Sequence, residues 1–306
     1  MLIDAHCDVL YQLWKDPSIS FKDSSKLHVT YEKWMKSNVK IQCFAIYVPD
    51  TVPDNLQFET ALKMIDIFYE KILKPFSNIK LVTTKQDIEN LKEDEKGAML
   101  TLEGCHPIGT DLMKLKTLIR LGVRSVGLTW NNPNAVADGV GEPRGAGLTS
   151  FGKEVVETLN EFKVLTDVSH LSYQGFWDVM ELADYPIASH SNCYKLCKHP
   201  RNLDDKQLKA LIAKKAFIGI TFVPTFLTES GNASIKDVIH HIEALYKLGG
   251  EDSVGLGSDF DGTFEVVKGL EEYSKYNTFY HELRKRFSTS FVEKLAWKNF
   301  LQNLPI

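Results

Sequence analysis

Six polar residues, each closing a short apolar run, carry the chemistry this sequence can do. His6 and Asp8 end Leu2-Ile-Asp-Ala-His-Cys-Asp8, and Glu103 ends Met99-Leu-Thr-Leu-Glu103. His170 ends Thr166-Asp-Val-Ser-His170, His190 ends Ala188-Ser-His190, and Asp259 ends Gly255-Leu-Gly-Ser-Asp259. Singly, such a residue is more commonly a capped or hydrogen-bonded core group than a ligand. Together, three histidines and three carboxylates meeting at one place would be severely destabilising without a cation or buried protons. A pair of divalent metals resolves the conflict. His6 and Asp8, on one face if the opening run is a strand, would hold one ion, and His170 and His190 on neighbouring strands the other. Glu103 has two oxygens and would bridge ions that in such sites lie ~3.5–4 Å apart. The donor set favours Zn²⁺ and admits Mn²⁺, Co²⁺ or Fe²⁺. A water shared by two such ions loses its proton near neutral pH, which gives a metal-bridging hydroxide able to attack a carbonyl. Asp259, spare from ligation, would take the proton and pass it to a leaving amine. Asp261 precedes Gly262 and reads as a cap or turn.

The elements that must position these groups are legible as eight strand-length apolar runs. They are Leu2–His6, Ile41–Val48, Ala98–Glu103, Ser125–Trp130, Val164–His170, Ile187–His190, Phe217–Phe222 and Val254–Asp259. Between them lie stretches of helical spacing, at 56–73, 112–121, 152–162, 205–213 and 235–248. Thr149 and the Asn202–Asp205 run offer N-caps, and Gly122 and Gly249 offer C-caps. Strands alternating with helices imply parallel βαβ units, and eight of them close into an α/β fold of the (β/α)8 TIM-barrel type, with a doubly wound open sheet as the alternative. The reactive residues would then share the barrel's C-terminal mouth. Residues 49–58 and 131–149 read as loops. The glycines of Gly139-Val-Gly-Glu-Pro-Arg-Gly145 lack the strand–turn–helix setting of a dinucleotide fingerprint and suit an active-site flap instead.

Composition bounds the class. The 306 residues are 43% hydrophobic and 25% charged, with a net charge of −4, and read as a single domain over 1–306. The basic stretches Lys195–Arg201 and His281–Arg286 are too short for a nucleic-acid footprint. No signal-peptide pattern and no membrane-spanning run is present. Five cysteines in no framework spacing suit a reducing compartment, so a soluble cytoplasmic protein is expected. Cys193, Cys197 and His199 do not complete a zinc knuckle and read as packed groups.

Over nearly its whole length the chain resembles the membrane (renal) dipeptidases, the M19 metallopeptidases of the amidohydrolase superfamily, and in particular their soluble bacterial branch. The resemblance is carried by Asp4-Ala-His-Cys-Asp8, Leu102-Glu-Gly104, Thr149-Ser-Phe-Gly152, Asp167-Val-Ser-His-Leu-Ser172, Ser189-His-Ser-Asn192, His199-Pro-Arg-Asn202 and Gly257-Ser-Asp-Phe-Asp-Gly262. It implies a barrel with two zinc ions on His6, Asp8, His170 and His190, bridged by Glu103, and Asp259 as the catalytic acid/base. It further implies that Arg201 binds the terminal carboxylate of a dipeptide, that a C-terminal D-residue is tolerated, and that a homodimer is possible. Where mammalian relatives carry a histidine that contacts the scissile carbonyl, this chain has Trp130, followed by Asn131. Where they have a tyrosine after the seventh strand, it has Phe222. All three residues are expected in the substrate wall. Rival readings are cyclic amide or lactone hydrolysis or deamination on the same barrel, or a metal-containing binding protein without catalysis. The HxD opening and a glutamate in place of a bridging lysine argue against the first, and Asp259 with Arg201 against the second.

Overall fold

The computed structural model describes residues 1–305. Among the described residues nine strands form, all paired in parallel: β1 (Leu2–Asp4), β2 (Val39–Tyr47), β3 (Ile79–Leu81), β4 (Lys96–Glu103), β5 (Val123–Gly127), β6 (Leu165–Asp167), β7 (Pro186–Ile187), β8 (Ile218–Ile220) and β9 (Val254–Leu256). Eight of them follow the order β7–β6–β5–β4–β2–β1–β9–β8. A parallel bridge between Ala188 and Ile218 brings the two ends together, so the sheet is a nearly closed barrel and not an open doubly wound sheet. All eight expected strands are present. β3 is additional; it pairs with the first half of β4, from Ile79 opposite Lys96 to Leu81 opposite Ala98. At three residues it is too short for an alternating pattern to reveal.

Several barrel strands end before the residues expected to close them, and two aspartates show why. Asp4 Oδ1 accepts the backbone N–H groups of His6 (3.3 Å) and Ser258 (2.8 Å). Asp167 Oδ1 accepts those of Ser169 (3.0 Å) and Ser189 (2.8 Å). A short carboxylate that captures a donor two residues ahead turns the chain out of the ladder. The functional groups therefore stand on turns that leave the strands. His170 and Asp259 there adopt left-handed backbone conformations, φ 70° and 64°, uncommon for non-glycine residues and concentrated where the surrounding structure fixes a site.

The barrel interior is filled by Ile3, Ile41, Cys43, Met99, Leu165, Ile187 and Phe217, with Phe300 of the C-terminal segment packed on Phe217. Phe44, Ile46, Leu100 and Leu102 belong to the larger core between sheet and helices. Alternation along β2 and β4 thus turns Tyr47 and Glu103 toward the barrel axis. Helices form at Asp54–Ile67, Leu112–Arg120, Ser150–Glu161, Asp205–Ala213 and Ile235–Lys247. Thr149 caps the third through Gly152, Asp204 caps the fourth, and Gly122 and Gly249 end helices at positive φ as expected. The expected loop 49–58 is helical from Asp54 onward, because Gln57 and Thr60 on the buried face obscure the apolar period. The helices Val9–Lys15, Tyr31–Lys36, Tyr173–Leu182 and Tyr276–Arg286 are not apparent from the sequence. The 131–149 loop is a strap fixed at both ends, not a free flap. Buried Asp138 accepts from Ala146 N (2.7 Å) and Arg144 Nε (2.9 Å), and Val140 N donates to the His170 carbonyl (2.7 Å).

Candidate metal centre

The fold brings all six expected residues together at the C-terminal mouth. His6 Nε2 lies 3.3 Å from Asp8 Oδ2, 3.7 Å from Glu103 Oε2 and 3.9 Å from Asp259 Oδ1. The other Glu103 oxygen, Oε1, faces His170 Nε2 at 2.9 Å and His190 Nε2 at 3.6 Å. The two ring nitrogens are 2.9 Å apart. Two overlapping groups, His6/Glu103/His190 and His6/Asp8/Asp259, each keep their donor atoms within 4.8 Å of one another. The same-strand argument for His6 and Asp8 does not hold, since Asp8 opens the helix Val9–Lys15. Their proximity comes instead from the backbone, where Cys7 N bonds to Cys43 O on β2 and Asp8 N to Phe260 O in the segment that follows β9.

The electrostatics of this cluster show what is required to complete it. Burial opposes charging of His6, but the negative charges of Glu103 and Asp8 outweigh it and lift its pKa to about 10. Burial raises Glu103 well above the carboxylate range and Asp259 to about 7, with the charge of Asp8 adding to both shifts. Burial, then the positive charges of Arg201 and His6, hold His170 well below its ordinary value; for His190 the order is burial, His6, Arg201. Buried His6 Nε2 and Asp8 Oδ1 have no hydrogen-bond partner, an arrangement that costs free energy unless a cation meets them. Imidazole nitrogens and carboxylate oxygens converging at one point, two of them without a partner, fit a divalent metal.

Groups behind the centre fix its rings. Asp167 Oδ2 accepts from Ser189 Oγ, which contacts His190 Nδ1 at 2.7 Å; Asn131 Oδ1 contacts His170 Nδ1 at 2.8 Å. Both contacts leave Nε2 aimed at the cluster, as orienting partners of ligand histidines do. Asp4 and Ser258, bonded to each other (2.6 Å) and to Tyr276 (Asp4 Oδ2, 2.8 Å), support the turns of His6 and Asp259. Asp261 accepts from the backbone of His28 and Val29, so it ties down a loop, in line with a turn role.

A cavity of about 340 Å³ opens over the cluster, lined among others by Asp8, Glu103, His170, Asp259, Tyr11, Tyr47, Trp130 and Asn131. Trp130 thus stands in the wall where expected, its ring 6.1 Å from that of His170. Phe222 does not, which corrects the expectation for it. It is 3% exposed and packs against Phe260, Tyr276 and Phe279, ring centroids 5.7 Å away in each case. The next residue, Val223, faces the cavity. Arg201 lines a second cavity of about 210 Å³ that shares His170 with the first. It is 4% exposed, Nη2 donates to the His190 carbonyl (3.1 Å), and Nε has no partner. Tyr11, Tyr47 and Ser189 are pocket or support residues missed from the sequence, because only tertiary proximity gives them a role.

A parallel barrel with a histidine–carboxylate cluster at its C-terminal mouth defines a metallohydrolase type of centre. The chain belongs to the membrane dipeptidase family, peptidase family M19, whose pattern it matches over residues 1–305. An uncharacterised dipeptidase of Schizosaccharomyces pombe is 30% identical over 300 residues, covering 90% of this chain and 72% of that protein. An uncharacterised Klebsiella pneumoniae protein encoded in the pqqA 5' region is 34% identical over 260 residues, covering 78% of this chain and 96% of that protein. The crystal structure of a Rhodobacter sphaeroides metallopeptidase liganded with a phosphinate mimic of the dipeptide L-Ala-D-Ala superposes with TM-score 0.93 at 26% identity, covering 99% and 98% of the two chains. The M19 metallopeptidase dipeptidase AC gives 0.92 at 27%, covering 99% and 97%. The protein is accordingly a metallopeptidase that hydrolyses dipeptides. Among the described residues no helix is long and apolar enough to cross a membrane.

Proposed function

We propose that the chain works as a two-zinc dipeptidase, with His6, Asp8 and Glu103 holding one ion and Glu103, His170 and His190 the other. The observation that carries this reading is Glu103, whose two oxygens face different donor sets, Oε2 toward His6 and Oε1 toward His170 and His190. When bound, the metals supply Lewis-acid activation of water and of the scissile carbonyl. The remaining steps fall to the chain. Asp259, near His6 and Asp8 but spare from the bridging set, receives the water proton and returns it to the departing amine. Arg201, a buried cation with an unpartnered Nε, receives the substrate's C-terminal carboxylate, which limits the enzyme to dipeptides. Trp130 borders the substrate and has an N–H to donate but no positive charge, so carbonyl polarisation does not come from it. Asn131 acts through His170 and need not touch substrate.

The stereochemical reading is tolerance of a D-residue at the second position, as in L-Ala-D-Ala. Residues 1–306 act as one catalytic unit. The five cysteines, all buried and unpaired, support a cytoplasmic setting, and a homodimer is tested by light scattering.

The deciding experiment is hydrolysis of L-L, L-D, D-L and D-D dipeptides by zinc-loaded protein with and without chelator, alongside metal analysis. Expected are two zinc ions per chain and chelator-sensitive turnover of L-L and L-D pairs. Asp259→Asn should lower kcat on the order of 10²–10⁴-fold with metal content unchanged. One ion per chain, or an active Asp259→Asn, would refute the assignment.

A further inference from the structure

The two cavities at the mouth differ in kind, and the difference bears on which dipeptides are cut. The argument rests on the dipeptidase reading above. With the substrate carboxylate at Arg201, the C-terminal residue lies on the His170–His190 side, where the smaller cavity is. The first residue must then extend the other way, toward Asp8 and Asp259. Three elements converge there. Tyr11 is one turn into the helix that follows Asp8, Tyr47 stands opposite Glu103 in the β2–β4 register, and Thr263 and Phe264 follow Asp259.

Tyr11, Tyr47 and Trp130 make a continuous aromatic surface, with Phe264 lining the same cavity at its edge. The Tyr11 and Tyr47 ring centroids are 5.4 Å apart, and those of Tyr47 and Trp130 are 5.2 Å apart. Val223 and Phe226 line the same cavity. Its ionisable lining groups are the centre's own Asp8, Glu103, His170 and Asp259, together with the two tyrosines. A charged side chain entering here would lose hydration and find no counter-charge outside the metal-binding set. Lys15 stays at the edge, its ammonium 5.6 Å from the Tyr11 ring and 5.8 Å from the Phe264 ring. Phe264 is 87% exposed at the rim. Such a ring contributes little to folding, and its place in the cavity lining adds apolar surface that a side chain bound there would cover.

We propose that this aromatic wall, with Phe264 at its rim, receives the side chain of the substrate's first residue, making the enzyme selective for dipeptides that begin with a large apolar residue. A pocket of this kind discriminates by the apolar area it buries, typically 10–200-fold per methylene-sized difference in a well-fitted site.

The test compares kcat/KM over two series, X-Ala and Ala-X, with X as Gly, Ala, Leu, Phe, Lys and Glu. The zinc-loaded wild type should prefer Leu-Ala and Phe-Ala over Gly-Ala by about 10-fold or more, and should disfavour Lys-Ala and Glu-Ala. Phe264→Ala and Tyr11→Ala should each compress the X-Ala ranking while the Ala-X ranking keeps its order. Phe264 lies on an exposed loop, so its variant folds even if Tyr11→Ala does not. A flat X-Ala series in the wild type, or a ranking unmoved by Phe264→Ala in folded protein, would overturn the proposal while leaving the dipeptidase reading intact. Absence of turnover for every dipeptide would overturn both.

Discussion

At the scale of single residues, the centre depends on groups that keep space open as much as on those that bind. Gly262 is one: a Cβ built there would collide with the carboxylate oxygens of both Asp259 and Asp8. Those side chains cannot yield without leaving the cluster. Gly262→Ala is therefore expected to keep the fold and lose metal, seen as a native circular dichroism spectrum with zinc content well below wild type. Full zinc occupancy in that variant would show that the carboxylates have other room. Phe222 makes the complementary point. Its type suited a pocket wall, yet the aromatic cluster of Phe260, Tyr276 and Phe279 buries it, and Val223 took the position that lines the cavity.

At the scale of elements, the strands place the reactive residues only approximately, and the turns after them complete the arrangement. Asp4 and Asp167 end their strands by capturing backbone donors, which frees His6, Ser189 and His190 from the ladder. Ser189 then links Asp167 to the His190 ring. Ser189→Ala should leave that ring without its orienting partner and weaken zinc affinity about 10–100-fold. Activity should return as zinc is raised, since no group touching substrate has changed. A kcat loss that excess zinc does not restore would place Ser189 in the chemistry itself. The loop 131–149 acts in the same way, carrying Asn131 to His170 Nδ1 and Val140 to the His170 carbonyl.

At the scale of the molecule, the metal-free protein folds around a charge cluster it does not balance, and its stability should depend on pH accordingly. His6 has a folded pKa of about 10, raised above the unfolded value of 6.5. Its contribution is complete below 6.5 and is lost as pH rises toward 10. Asp259, raised to about 7 from 3.8, loses its share between those values. Both trends make the metal-free fold less stable above neutrality. Metal binding requires the same groups deprotonated, so it is favoured in that range. The increase in Tm on adding zinc to chelated protein should therefore grow from pH 6 to pH 9. An increment independent of pH would show that His6 and Asp259 carry no excess protons in the metal-free fold.

The sequence by itself determined the parallel strand–helix order and the candidate donors, and the Ala188–Ile218 bridge decided that the sheet closes. Eight apolar runs separated by helical spacing point to parallel βαβ units, and His6, Glu103, His170, His190 and Asp259 each end such a run, so a shared mouth was legible, whereas the place of Asp8, at the start of the helix Val9–Lys15, was not. Tertiary structure decided what depends on neighbours distant in sequence. Short β3 exists only as a partner for Lys96–Ala98. Ser189 gains its role from Asp167, on the adjacent strand. Tyr11, Tyr47 and Phe264 line one cavity only because a helix, a strand and a loop converge. The physical reason is range. Strand and helix patterns are written in residues a few positions apart, whereas the packing of a ring, or the direction in which Phe222 and Val223 face, is settled by which distant surface offers the better burial.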